Sequence, residues 1–259
     1  MATLEIEVQL DYAMDAPTDL LLQIEAAPTD GQTIDRAGIG LSPVEHFARV
    51  PGEEMVGDRI WMRVENRLLC DYAATVTVDR ASTDVASLPM TPTHQLPGDG
   101  VRYLMASRYC PSDEFQTFAM SEFTGLSGGA LIASMRDWIA DKVAYVPGSS
   151  GPHTTALDTF VQRQGICRDF AHVMITLSRA MAIPARIASV YAPDVEPQDF
   201  HAVAQVYLDG AWHLVDPTGM SRAGDTVIVG IGADAADVAF LTSYGPAHMQ
   251  RQVVQVRRA

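Results

Sequence analysis

Leu4, Ile6, Val8, Leu10 and Tyr12 alternate with polar neighbours, and Cys70, Tyr72, Ala74, Val76 and Val78 do the same. A period of two is that of half-buried strands. Arg59-Ile-Trp-Met-Arg-Val-Glu is a third such run, and turn-rich segments such as Ala27-Pro-Thr-Asp-Gly and Pro51-Gly separate the runs. The first 110 residues therefore predict an all-β unit with the spacing of an antiparallel sandwich.

The period changes after Pro111. Leu131, Ile132, Met135, Trp138, Ile139 and Val143 recur at three and four, the stripe of an amphipathic helix that ends before Pro147-Gly148. A short helical stretch follows near Ala156 to Val161, then a second stripe, Phe170, Val173, Met174, Leu177 and Met181, in a helix that starts at Cys167 and cannot continue through Ile183-Pro184. Three strand-like runs come next: Ala185 to Tyr191, His201 to Leu208 and Ala211 to Val215. Asp209-Gly210 joins the last two, and this dipeptide favours a two-residue hairpin because both turn positions need φ > 0.

A chain of 259 residues fits one large domain or two modest ones. The change of period favours two, 1–110 and 111–259. An apolar content of 47% with 19% charged residues suits a globule with a full core. The net charge of −14, with Lys142 the one lysine among 18 basic residues, leaves no basic stripe for nucleic acid or an anionic membrane. No apolar run approaches the roughly 18 to 20 residues of a membrane span. The start, Met1-Ala-Thr-Leu-Glu-Ile-Glu-Val, lacks the basic and apolar blocks of a signal peptide. Cys70, Cys110 and Cys167 are too few for a disulfide framework. A cytoplasmic, reducing location is expected.

The hairpin carries candidate chemistry. With Leu208 opposite Ala211, His201 faces Thr218 and Asp216 faces Val203, so His201 and Asp216 are diagonal neighbours on one face. Such positions lie roughly 7 to 8 Å apart, a gap an imidazole and a carboxylate can close. The acid would fix the tautomer and orientation of the base. Gly165-Ile166-Cys167 sets a thiol at a helix start, where free N–H groups and the helix dipole lower a thiol pKa from about 8.5. The Cys167 backbone N–H, with Gln164 as a second donor, could bind an oxyanion. Asp169, in the first turn, would oppose a thiolate if it pointed inward and is given a structural role.

Gly165-Ile-Cys-Arg-Asp-Phe-Ala-His, Asp199-Phe-His-Ala and Asp216-Pro-Thr, in that order and at those separations, resemble the bacterial transglutaminase-like proteins of the cysteine-protease type. Ser107-Arg-Tyr-Cys-Pro-Ser-Asp resembles that family's junction segment, Gly230-Ile-Gly-Ala-Asp-Ala-Ala-Asp-Val its region after the acid, and the β-rich start its N-terminal domain. The resemblance implies a papain-like α+β core preceded by an antiparallel β-sandwich, with the catalytic triad on Cys167, His201 and Asp216. Val203 and Gln205 stand where many relatives carry tryptophan and glutamate.

Other residues read as structure. His172, five residues after Cys167, is off its helical face, and His213 points away from the triad face without partners for a zinc site. Cys110 is expected at the domain junction and Cys70 in a strand. Gly230-Ile-Gly lacks a dinucleotide-loop pattern and reads as a close turn near the active site. No cofactor or metal is expected. The expected activity is attack by Cys167 on an amide or peptide bond through a thioester, ending in hydrolysis, with a peptide or protein as substrate. A glutamine transamidase and a non-enzymatic peptide-binding module on the same fold are the alternatives. Oligomeric state is left open.

Overall fold

The computed structural model of the chain describes residues 1–81 and 83–259. The first part supplies β1 (Ala2–Met14), β2 (Thr18–Leu22), β3 (Gln32–Leu41), β4 (His46–Pro51), β5 (Asp58–Val64) and β6 (Arg67–Val78). After a series of short turns come α1 (Gln116–Glu122), α2 (Gly128–Lys142), β7 (Ala144–Tyr145), α3 (Ala156–Gln162), β8 (Gln164–Gly165) and α4 (Cys167–Ala180). The chain continues through β9 (Ala185–Tyr191), β10 (His201–Leu208), β11 (Ala211–Val215), β12 (Val227–Gly232), α5 (Ala235–Val238), β13 (Leu241–Ser243) and β14 (Ala247–Arg258).

Two antiparallel sheets, ordered β14-β1-β6-β3 and β13-β2-β5-β4, enclose one apolar core. The alternating residues predict its inner face: Leu4, Ile6, Val8 and Leu10 meet Leu20, Leu22, Ile60 and Met62, all buried. Strands β13 and β14, from the end of the chain, pair with β2 and β1. The alternation in the first 110 residues carries no sign that an edge of each sheet is filled from so far away.

The third sheet, ordered β11-β10-β9-β12, is wholly antiparallel. Helix α4 is buried against it, with Val173, Met174 and Leu177 packed on Ala185, Ile187, Ala204 and Val206. Behind α4, Arg179 donates to the carbonyls of Ala185, Met105 and Ala233. The architecture is the expected mixed one, an α+β core beside antiparallel β-sheets. No helix among the described residues is long and apolar enough to cross a membrane.

Gly230-Ile-Gly corrects one expectation. It is not a turn but part of β12, in which every residue from Val227 to Gly232 is buried. A strand covered on both faces shows no alternation. A Cβ at 230 would lie 2.3 Å from Nε2 of Gln23, so a larger residue there would require that side chain to move.

The sandwich and the α+β part share polar contacts. Gln32 Nε2 donates to the Ala27 and Ile228 carbonyls while its Oε1 accepts the Ile228 N–H at 2.8 Å. Tyr191 Oη donates to the Ile24 carbonyl at 2.7 Å. Gln198 does the same work on β14, accepting the Val256 N–H and donating to its carbonyl, each at 2.8 Å.

Candidate active site

Cys167 is the first residue of α4 and is partly exposed. The residues around it dictate that placement. Ile166 is extended, and its N–H donates to Oδ2 of Asp169 at 2.8 Å, so the helix folds back on the incoming strand. A Cβ at position 165 would lie 2.7 Å from Cβ of the fully buried Asp169, so the close approach requires glycine. Asp169 thus has structural contacts. Arg168 donates to Ser150 Oγ at 3.1 Å and to the Gly151 carbonyl at 2.8 Å, which ties down the loop before α3. The first N–H groups of α4 lie beyond the reach of helix-internal acceptors.

His201 opens β10 and Asp216 follows β11. The ladder runs from Leu208↔Ala211 to Ala204↔Val215, and Asp209 and Gly210 turn with φ of 48° and 77°. This is the register that the Asp-Gly dipeptide predicts. Pro217 has no N–H to extend the ladder, yet the diagonal relation holds: Nε2 of His201 donates to Oδ2 of Asp216 at 2.8 Å, with both side chains buried.

The carboxylate of Asp216 is held by further donors. Oδ1 accepts the Thr218 N–H at 2.9 Å and its hydroxyl at 2.7 Å. Oδ2 accepts the Ser221 N–H at 2.9 Å and its hydroxyl at 2.8 Å. Burial alone would raise this carboxyl, but the bonds from His201, Thr218 and Ser221 hold it below the usual carboxylate value. Sequence reasoning missed both hydroxyls. Thr218 was within reach of a rule, since an aspartate two residues earlier often caps such a turn; Ser221 gave no signal.

Burial also disfavours the imidazolium of His201. The hydrogen bond to Asp216, with the charges of Cys167 and Asp216, outweighs it and raises the ring pKa to about 9. Nε2 is engaged by Asp216, which leaves Nδ1 as the ring nitrogen open to another partner. Nδ1 is buried and makes no hydrogen bond of ordinary geometry among the described residues. Of the three residues singled out in the sequence, His201 and Asp216 are joined by the Nε2 hydrogen bond, and the charge of Cys167 is felt at the ring.

Gln164 lies in β8, opposite Ala144, and its side chain makes no hydrogen bond among the described residues. Tyr145, which the sequence reading did not single out, pairs with Gly165, and burial, with the charge of Cys167, pushes its phenol up to about 12. Val203 packs in a small cluster with Ala188, Val190, Ile228 and Ile231. Gln205 accepts from Nε of Arg186 at 2.8 Å, and the same guanidinium donates to Glu54 at 2.7 Å and lies 4.0 Å from the Trp212 ring. A loop of the sandwich thus supplies the carboxylate for this buried arginine.

Among the described residues no group of three or more His, Cys, Asp or Glu is placed to hold a metal ion. His172 is a core residue: its ring stacks on Tyr109, Nε2 accepts the Ala235 N–H at 3.2 Å, and burial pushes its pKa down to about 3. His213 bonds the Leu208 carbonyl within its own hairpin. Cys70 and Cys110 are buried, and burial pushes each thiol up to about 12. A cavity of about 660 Å³ opens behind Asp216, lined by Ser221, Arg222 and Arg136; neither Cys167 nor His201 lines it.

Residues 127–217, which contain Cys167, His201 and Asp216, match the model of the transglutaminase-like superfamily core. A crystal structure from Cytophaga hutchinsonii, of a protein described as a candidate cysteine protease, is 30% identical with a TM-score of 0.92 and covers 99% of this chain and 90% of that one. An uncharacterised protein of Mycobacterium leprae is 37% identical over 120 residues, and the chain spans 42% of that relative's length. The core match falls on the segment carrying Cys167, His201 and Asp216, and the Cytophaga likeness extends through the sandwich to the last strand, so the chain belongs to the transglutaminase-like superfamily.

Proposed function

We propose that the protein is a cysteine-dependent acyl-transfer enzyme that hydrolyses an amide or peptide bond through a thioester on Cys167. The observation that supports this reading is the His201 imidazole, held by Asp216 through Nε2 and near enough to Cys167 for their charges to interact. A ring whose pKa lies near 9 holds its proton at neutral pH, and a neighbouring imidazolium favours the thiolate. Cys167 Sγ attacks the carbonyl carbon, forming a C–S bond while the carbonyl π pair moves to oxygen. Collapse restores the carbonyl and expels the amine, which takes its proton from His201. Water then adds to the thioester carbon and gives a proton to His201. The thiolate leaves, and the product is the free acid.

Asp216 orients the ring and stabilises its charge. Hydrolysis rather than transamidation is supported by the Cytophaga relative, described as a candidate protease and alike over nearly the whole chain. A cytoplasmic location and a peptide or protein substrate complete the proposal.

The test offers a peptide library with and without a primary amine and reads products by mass. Free acid as the main product in both arms is expected. An amine adduct as the main product would replace hydrolysis by transamidation, and no product from either arm, with Cys167 no more reactive than the other thiols, would leave a binding module.

A further inference from the structure

The cavity behind Asp216, about 660 Å³, is separate from the reacting sulfur: Asp216 forms part of its wall, and Cys167 and His201 do not. Its volume lies within the usual range of small-molecule sites. Ile132 and Ala133 of α2, with Leu214 and Val215 of β11, give it an apolar wall. Charged side chains also line it, and all but one of them are already engaged. Asp216 accepts bonds from His201, Thr218 and Ser221. Asp84 Oδ1 accepts the Ala86 N–H at 3.1 Å, and Oδ2 of Asp225 takes bonds from Nε and a terminal nitrogen of Arg258. Arg136 is bonded to Asp137 at 2.8 and 2.7 Å. The exception is Arg222, whose guanidinium has no carboxylate within ion-pair distance among the described residues, in a chain with a net charge of −14. Asp194 feels its charge, but both oxygens of that carboxylate are taken by Arg258.

We propose that this cavity binds an amphipathic carboxylate, a short apolar chain ending in one negative group, with the carboxylate on Arg222 and the tail along Ile132, Ala133, Leu214 and Val215. An apolar wall beside one uncommitted cation selects that shape. A bare carboxylate gains a single exposed ion pair, which contributes little, whereas a tail removes apolar surface of both partners from water. An ammonium on the same tail meets Arg222 as a like charge. The site adjoins the triad acid without entering the reaction: Arg222 follows Ser221, whose N–H and hydroxyl hold Oδ2 of Asp216 at 2.9 and 2.8 Å. Ligand and acid therefore grip one segment. The binding does not depend on the reading of Cys167 as nucleophile.

The experiment titrates octanoate into the full chain by calorimetry, before and after Cys167 is blocked with iodoacetamide. One-to-one binding with the same affinity in both forms is expected. Acetate, which lacks the tail, and octylamine, which reverses the charge, should each bind at least about tenfold more weakly. Arg222→Gln should weaken octanoate by about 10- to 100-fold, and Ala133→Phe, which fills the apolar wall, should remove the binding heat. Thermal unfolding checks that each variant is folded; if Ala133→Phe is not, Arg222→Gln decides alone. With 4-nitrophenyl acetate as an ester substrate of Cys167, saturating octanoate should leave KM unchanged. No binding, equal affinity for octylamine, or unchanged binding by Arg222→Gln would overturn the proposal. Competition with the ester, or loss of binding when Cys167 is blocked, would place octanoate at the sulfur and overturn it as well. A chain that bound octanoate as described but never turned over the ester would keep this site and lose the proposed activity.

Discussion

Nε2 of His201 lies 2.8 Å from Oδ2 of Asp216 across the open end of a hairpin whose turn is eight residues from one and six from the other. That single bond decides which ring nitrogen is left for Cys167.

Thiol reactivity should separate the three cysteines. Iodoacetamide at neutral pH is expected to label Cys167 far faster than Cys70 or Cys110, which are buried with raised thiol pKa values. His201→Ala should remove the preference. Peptide mass mapping over a time course reads the rates, and equal labelling in the unaltered protein would count against an activated sulfur.

The pH profile should carry the mark of the raised imidazole. Its charged form is favoured by folding, so this contribution to stability is full below the unfolded value of about 6.5 and fades as pH rises through about 9. Ester kcat/KM should fall above pH 9 as the proton on His201 is lost. Asp216→Asn removes one cause of the shift, and the alkaline limb should move toward neutral pH. A limb that stays in place would show that Asp216 does not set the ring's proton affinity. Asp216 acts in the opposite sense: its depressed carboxyl contributes above about 3.9 and loses that contribution as acid protonates it.

Ser221→Ala deletes one of the hydroxyl bonds to the Asp216 carboxylate. A hydrogen bond to a charged group contributes about 1.5–3 kcal/mol, so thermal unfolding should move down by several degrees. Ester turnover should fall as the carboxylate loosens. Thr218→Ala should behave alike through Oδ1. Full activity in the double variant would show that His201 alone orients the acid.

Glu54→Ala leaves Arg186 buried without its carboxylate. Removing one partner of a buried pair costs about 3–5 kcal/mol, toward the low end here because Glu54 is partly exposed. Urea unfolding measures the loss, and Glu54→Ala/Arg186→Met should recover part of it. No recovery would mean that Arg186 contributes mainly by its place over Trp212.

The parts of this site that a sequence can express are local. Asp209-Gly210 fixes a register, and the register brings residues 201 and 216 together; Gly165 is needed because Asp169 occupies the space a side chain would fill. Tyr145 escaped because its strand has two residues, too few to show a period, and its partner lies across the whole of α3. Strands β2, β3 and β4 are short, or on exposed edges with little alternation. β14 alternates only in its second half, where Val254 and Val256 enter the core. Its destination beside β1 depends on a closure between the two ends of the chain that no local pattern encodes.

During synthesis the first sheet stands open on one side until the ribosome delivers β14, so the two units cannot mature one after the other like beads. The same strand clasps the segment leading into His201 through Gln198, and Gln252 reaches Asp199 two residues before the histidine. Expressing residues 111–240 alone would therefore give a cysteine helix and a hairpin whose imidazole has lost its outer brace, while residues 1–110 alone would expose the flank of β1 to any passing strand.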